Sequence, residues 1–289
     1  MQGIRISDVA RAIGCMDSGQ TQEFSVVLDG VMFPIFVRRH PGSKWVVFGQ
    51  GAVDRNRSQL PVFQRKTWVE DICASCVIVS DPTLALDPTM RLGWFQGDGT
   101  RFYLAELASV VAEVTGFPMN ERADDLCFYG SSAGGFTSLF LARYFPGSCV
   151  IVNNPQTDVL EYHEGPVNKL LRVCYPGLSR EQVRVRFQDR LSVRHHYLRD
   201  QCVHYFQNVA DTFHYEVHYR PFVQGYPQGT VKRGPLTGPA PRGSMVCYEY
   251  NEPTQGHNPL DRRCTTVLIN SILQDQPISL DLLPFVHSD

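Results

Sequence analysis

The chain has no run of apolar residues long enough to cross a membrane as a helix. It also carries no excess of one charge: 27 Lys and Arg stand against 29 Asp and Glu, a formal net charge of −2 over 289 residues. The first absence excludes a membrane span. The second removes any global electrostatic reason to expect nucleic acid as a partner. Met1–Cys15 mixes Arg, Asp and Ser with short apolar pairs, so the uninterrupted apolar stretch of a secretory signal is missing and a cytoplasmic location is expected. No internal repeat or linker divides the sequence, and residues 1–289 read as a single domain long enough to bury a sizeable core. A disulfide framework is missing too. The nine cysteines are an odd number, and Cys127, Cys149, Cys202 and Cys247 sit in short apolar runs with the look of buried strands, where a free thiol acts as a small hydrophobe. Cys73 and Cys76 form a lone CxxC without the second pair a zinc site needs. Reduced thiols, no metal and no cofactor are the expectation.

What is present is an alternation of apolar runs and helical spacing. Glu23–Leu28 and Val31–Arg38 flank Asp29-Gly30, a pair that predicts an antiparallel hairpin. Short strands are predicted at Trp45–Phe48, Cys76–Ser80, Leu126–Tyr129, Cys149–Val152, Val203–Gln207 and Met245–Tyr250. Helices are predicted at Phe102–Val114, Phe136–Tyr144 and Arg262–Leu273. Together they predict an α/β fold: a mainly parallel central sheet with an antiparallel N-terminal hairpin and helices on both faces. Gln224–Gly243, rich in Gly and Pro, reads as a loop on the rim opposite the C-terminal strand ends.

Between the strand Leu126–Tyr129 and the following helix stands Gly130-Ser131-Ser132-Ala133-Gly134-Gly135. A serine nucleophile at the apex of a sharp strand-to-helix turn needs small neighbours, and the helix that starts there aims backbone N–H groups at the site. Ser132 is central in the G-x-S-x-G spacing; Ser131 lies one residue off it. The competing reading is a glycine-rich corner that holds an anion, but the lysine of a P-loop and the G-x-G-x-x-G spacing are both absent.

A serine hydroxyl needs a base, and the base needs a carboxylate that fixes its tautomer. His257, in Gln255-Gly256-His257-Asn258-Pro259 after the last predicted strand, is the candidate base. His195 and His196 fall in a predicted helix, and His214 and His218 share a helical face. Asp211, on the loop after Val203–Gln207, is the candidate acid, with Asp158 as its rival one strand earlier and Glu252 behind both. Asn154 and Asn208 are expected to orient loops through backbone hydrogen bonds. For an oxyanion hole, the N–H of Ala133 and one from Gly51 or Ala52, in the loop Gly49-Gln50-Gly51-Ala52, are expected.

In these motifs the chain resembles the α/β-hydrolase superfamily from about Glu23 to Leu273. The run from Tyr129–Gly135 through Pro155-Gln156-Thr157-Asp158 to Gln207-Asn208 and Asp211 is similar to bacterial hydrolases of polysaccharide and glycoconjugate pathways, the acyl-modifying component of accessory secretion among them. The resemblance implies a serine esterase or deacylase acting on an ester of a small molecule or glycan. The alternatives are an acyltransferase to a sugar hydroxyl and a non-catalytic component of a glycoconjugate pathway with a partner protein.

Residues 153–202 form a long insertion between two predicted strands on the catalytic side and are expected to act as a cap, with Ser179 and Gln182 opening a helix. Its arginines 172, 180, 184, 186, 190, 194 and 199 suggest either an anionic substrate or a solvated face balanced by Glu161, Glu164, Glu181 and Asp189. The solvated face is the preferred reading.

Overall fold

A computed structural model describes residues 2–227, 229–234, 236 and 240–286. The strands are β1 (Gly3–Arg5), β2 (Thr21–Leu28), β3 (Val31–Arg38), β4 (Trp45–Phe48), β5 (Ser75–Val79), β6 (Leu126–Ser131), β7 (Cys149–Asn153), β8 (Cys202–Asn208), β9 (Val231–Arg233) and β10 (Met245–Tyr250). They form one sheet in the order β1-β2-β3-β5-β4-β6-β7-β8-β10-β9. Only β2 with β3 and β3 with β5 pair antiparallel among these neighbours. Asp29 and Gly30 both take positive φ, 47° and 83°, the turn whose twist matches that of the strands it joins.

The helices are α1 (Ile6–Gly14), α2 (Tyr103–Thr115), α3 (Ala133–Leu141), α4 (Glu164–Cys174), α5 (Arg180–Leu191), α6 (Thr212–His214), α7 (Arg220–Gly225) and α8 (Arg262–Leu273), with a π turn, Tyr215–Tyr219, joining α6 to α7. Period-two alternation along β6 sends Leu126 and Phe128 into one core, shared with α1, α2 and α3, and Cys127 and Tyr129 into another, shared with α8. A sheet buried on both faces explains why its strands read as continuous apolar runs.

The chain runs from β4 to β5 on one side of β4, then crosses to β6 on the other. The loops after β4 and β6 therefore diverge at a topological switch point, where open α/β sheets place their sites. The two loops touch through glycine: a Cβ on Gly49 would lie 2.2 Å from the Gly134 carbonyl oxygen, and one on Gly134 2.4 Å from that of Gly49.

Several elements differ from the sequence reading. β1, three residues long, is too short for a periodic signal, and α1 is absent from that reading although Ile6, Val9, Ala10 and Ile13 fall at helical spacing and Val9 and Ile13 are buried. β9 lies inside the Gly/Pro-rich stretch 224–243 and pairs with β10 over Met245–Cys247; positions 228, 235 and 237–239 of that stretch lie outside the described residues. His195 and His196 follow α5 in a turn rather than a helix. All nine cysteines are free, with Cys15 and Cys73 exposed.

Candidate active site

Ser132 stands between β6 and α3 with φ 54° and ψ −125°, a conformation an L-residue holds only under constraint. The constraint is packing. A Cβ at Gly130 would meet the Gly134 oxygen at 2.1 Å, and one at Gly135 would meet Pro155 at 2.4 Å. The neighbouring Ser131 faces elsewhere, its Oγ accepting from Arg65 Nη2 at 2.6 Å.

Ser132 Oγ lies 2.9 Å from His257 Nε2, and His257 Nδ1 lies 2.7 Å from Asp211 Oδ2. A carboxylate only accepts, so Nδ1 carries the proton and Nε2 receives the serine O–H. Asp211 is therefore the acid that faces His257. Asp158 is turned to Arg184 at 3.7 Å and to the Leu160 N–H at 3.0 Å, and Glu252 accepts from Thr254 within its own loop.

Three asparagines at strand ends hold the His257 loop in place. Asn208 Nδ2 donates to the carbonyls of Glu252 and Gly256, and its Oδ1 accepts from Glu252 N–H. Asn153 Oδ1 accepts from Leu260 N–H, and Asn154 Nδ2 reaches the His257 carbonyl at 3.5 Å. The loop roles expected of Asn154 and Asn208 are thus present, and Asn153 joins them.

Asp211 serves a second imidazole. His214 Nδ1–H lies between the two carboxylate oxygens, 3.1 Å from Oδ1 and 3.0 Å from Oδ2, and its ring stacks on that of His257 with centroids 3.7 Å apart and planes 14° apart. His218 follows one turn later, its Nδ1 accepting from Thr157 N–H at 3.3 Å. Asp211, His214 and His257 are also the one group among the described residues whose donor atoms lie within 4.8 Å of one another, as a metal site would require. The Nδ1 atoms of both imidazoles hydrogen-bond Asp211, while the buried Nε2 of His214 has no hydrogen-bond partner among the described residues.

Burial raises the Asp211 carboxyl, but hydrogen bonds from His214 and His257 prevail and hold it well below the usual carboxylate range. Burial lowers His214, and burial with the neighbouring positive groups pushes His218 down to about 2. A buried neutral imidazole stabilises the fold above its ordinary value of 6.5, and that stability is lost as pH falls toward the folded value. Asp211 adds a loss of the same sign below 3.8. Asp81, pushed up to about 6 by burial, acts oppositely between about 6 and 3.8. His218 alone loses over more of the range from about pH 7 to about pH 5 than Asp81 gains, so the thermal midpoint is expected to fall across it. Differential scanning fluorimetry checks this; a flat or rising midpoint contradicts it.

The oxyanion expectation changes at Gly51. Its N–H donates to Gln64 Oε1 at 2.8 Å, while Gln64 Nε2 donates to the Ala52 carbonyl at 2.8 Å, so Gln64 braces the loop. Ala52 is exposed and Gln50 is buried. Among the described residues the Gln50 N–H has no protein acceptor. Ala133, as the first residue of α3, has an N–H that no helical carbonyl receives.

Sequence reasoning missed Gln156, Trp94, Gln64 and Asn153, all of which touch the site or its loops. Gln156, whose Nε2 lies 3.1 Å from Ser132 Oγ, was signalled only by its place just beyond the C-terminal end of β7, next to the switch point. In the insertion, Ser179 and Gln182 form the expected capping box. The solvated-face reading holds for Arg172, Arg186 and Arg199, which are exposed. Arg180, Arg184, Arg190 and Arg194 instead tie the insertion to itself and to the body: Arg180 to the Leu160 carbonyl, Arg184 to Glu161, Arg190 to the Asp98 carbonyl, and Arg194 to the Val217 carbonyl.

The fold is an α/β-hydrolase fold, a mostly parallel sheet with helices on both faces. No family model and no curated protein sequence matches the chain. Among solved structures, the chain is similar to the capsule O-acetyltransferase of Neisseria meningitidis serogroup A at TM-score 0.58 and 13% identity, covering 86% of this chain and 94% of that one. It is similar to the 2,6-dihydroxy-pseudo-oxynicotine hydrolase at TM-score 0.56 and 15% identity, over 96% and 74% of the two chains. A thermostable esterase from Pseudomonas putida matches at TM-score 0.53 and 13% identity, over 95% and 89%.

Proposed function

We propose that the protein is a serine-dependent acyl-transfer enzyme, an esterase or deacylase that acts on an ester of a small molecule or glycan through an acyl-enzyme. The observation that carries this reading is the continuous hydrogen-bond chain Asp211–His257–Ser132 built on a strained elbow. Ser132 Oγ attacks the ester carbonyl as His257 takes its proton, and His257 returns that proton to the departing alcohol. Asp211 holds the imidazole in the reactive tautomer. The N–H groups of Ala133 and Gln50 receive the oxyanion, a role in which Gln50 replaces Gly51 because the Gly51 amide is occupied by Gln64. Residues 153–202 act as the cap over this site, and the free thiols suit a cytoplasmic location.

Transfer to a sugar hydroxyl is the second reading, favoured by the similarity to the capsule O-acetyltransferase over nearly the whole of that chain. A purely structural role as a pathway component would give no reason for three aligned polar side chains at the switch point. Product analysis separates the enzymatic readings. With an acetylated ester and an excess of a saccharide acceptor, free acetate is the expected main product. Acetylated saccharide in its place identifies the transferase, and neither product refutes both.

A further inference from the structure

Ser132 Oγ offers one proton and two lone pairs. The proton is directed at His257 Nε2, 2.9 Å away, and Gln156 Nε2 lies 3.1 Å from the same oxygen. An amide is ambiguous in shape, but here its neighbour decides the orientation. Trp94 Nε1 lies 2.5 Å from Gln156 Oε1, and an indole N–H can only donate. The oxygen must therefore face Trp94, and the NH2 group must face Ser132. The Gln156 backbone N–H also donates to the Ser132 carbonyl at 3.0 Å, and the side chains of Trp94 and Gln156 are buried.

Trp94 holds its place through an unfavourable backbone. Trp94 and Phe95 both lie in the left-handed region, with φ 49° and 51°, a conformation bulky residues seldom adopt even singly. The buried carboxyl of Asp81 secures the turn, accepting from Phe95 N–H at 2.8 Å and from Thr83 N–H at 2.8 Å. Strain maintained by a buried carboxyl, in a segment whose indole ends on the amide beside the nucleophile, is strain with a recipient.

We infer that Gln156 is a catalytic residue, a neutral donor to the nucleophilic oxygen itself, oriented by Trp94 as a positioning residue. The inference rests on the reading of Ser132 as nucleophile. In acylation, Oγ forms a bond to the carbonyl carbon while its proton moves to His257, and the carbonyl electron pair moves to its oxygen. That pair then returns, the bond to the alcohol oxygen breaks, and the alcohol takes the proton from His257. In deacylation, water or another hydroxyl gives its proton to His257 and bonds to the acyl carbon. The bond from that carbon to Oγ breaks, its electron pair stays with Oγ, and Oγ recovers the proton from His257. Negative charge grows on Oγ as it loses its proton and again as it departs, and a donor already aimed there stabilises both moments without reorganising. An amide cannot accept the proton, so it does not compete with His257. Before reaction it occupies a lone pair and leaves the hydroxyl proton directed at His257.

The test is steady-state and burst kinetics with 4-nitrophenyl acetate, with pH profiles, on Gln156→Glu, Trp94→Phe and Ser132→Ala. Gln156→Glu keeps the shape and the acceptor for Trp94 but puts a carboxylate oxygen against Oγ. It is expected to lower kcat about a hundredfold with little change in KM and to move the acidic limb of the pH profile to higher pH, because the new carboxylate favours the protonated form of the base. Trp94→Phe, which removes the indole N–H while keeping an aromatic ring, is expected to lower kcat about tenfold and to keep the pH profile readable if the first variant fails to fold. Wild-type kcat and pH profile in folded Trp94→Phe and Gln156→Glu, beside an inactive Ser132→Ala, overturn the role of Gln156 alone. Wild-type activity in Ser132→Ala overturns the reading beneath it.

Discussion

Replacing Ser132 by alanine is expected to lower the hydrolysis of an activated acetyl ester by about a millionfold, to the background that binding and the oxyanion donors sustain by themselves. The effect is this large because the rest of the site serves one oxygen. His257 Nε2 and Gln156 Nε2 both converge on Ser132 Oγ at hydrogen-bond distance. Without Oγ there is no atom to acylate, and the base has no proton to take. The fold has little reason to respond, since the elbow is set by glycine contacts and by backbone bonds from Gly135, Phe136 and Gln156 to the Ser132 carbonyl. Single-turnover assays beside a thermal melt check both halves: activity gone, midpoint nearly unmoved.

Asp211→Asn is expected to reduce kcat by about ten-thousandfold. In many triads an asparagine fails because its NH2 can turn toward the imidazole and select the wrong tautomer. Here the conflict is built in, because Asp211 receives Nδ1–H from both His257 and His214. His214 Nδ1 lies 3.1 Å from Oδ1 and 3.0 Å from Oδ2, and His257 Nδ1 lies 2.7 Å from Oδ2, so an amide NH2 in either oxygen's place faces a ring N–H. If His214 keeps the oxygen, His257 is driven to the tautomer that cannot receive the serine proton. If His257 keeps it, the buried ring stacked against it shares that oxygen and meets the amide NH2 where Oδ1 stood. Measuring kcat across pH for this variant checks the expectation; a loss of less than about tenfold contradicts it.

Much of this site was legible in the sequence because the fold delivers catalytic groups at strand ends in a fixed chain order. The elbow at Gly130–Gly134, an acid after β8 and a histidine after β10 could each be located from apolar runs and turn residues. The choice between Asp211 and Asp158 could not, since both follow strands on the same edge of the sheet; in the structure Asp211 faces His257 at 2.7 Å while Asp158 is turned to Arg184. In the loop Gly49–Ala52 the sequence could not show that Gln64, thirteen residues beyond Gly51, takes the Gly51 amide. Trp94 and Gln156 were out of reach for a similar reason: 62 positions separate them, and no periodicity records a contact between two irregular segments. β1 and β9 were too short to carry alternation of their own and exist because longer neighbours template them.

The most direct test of the account is covalent labelling by a fluorophosphonate at neutral pH, read by mass spectrometry of the digested protein. The account predicts a single stoichiometric adduct on the peptide containing Ser132, absent from Ser132→Ala and strongly slowed in Asp211→Asn. A folded wild-type protein that takes no label, or a Ser132→Ala variant that labels equally well, would contradict it.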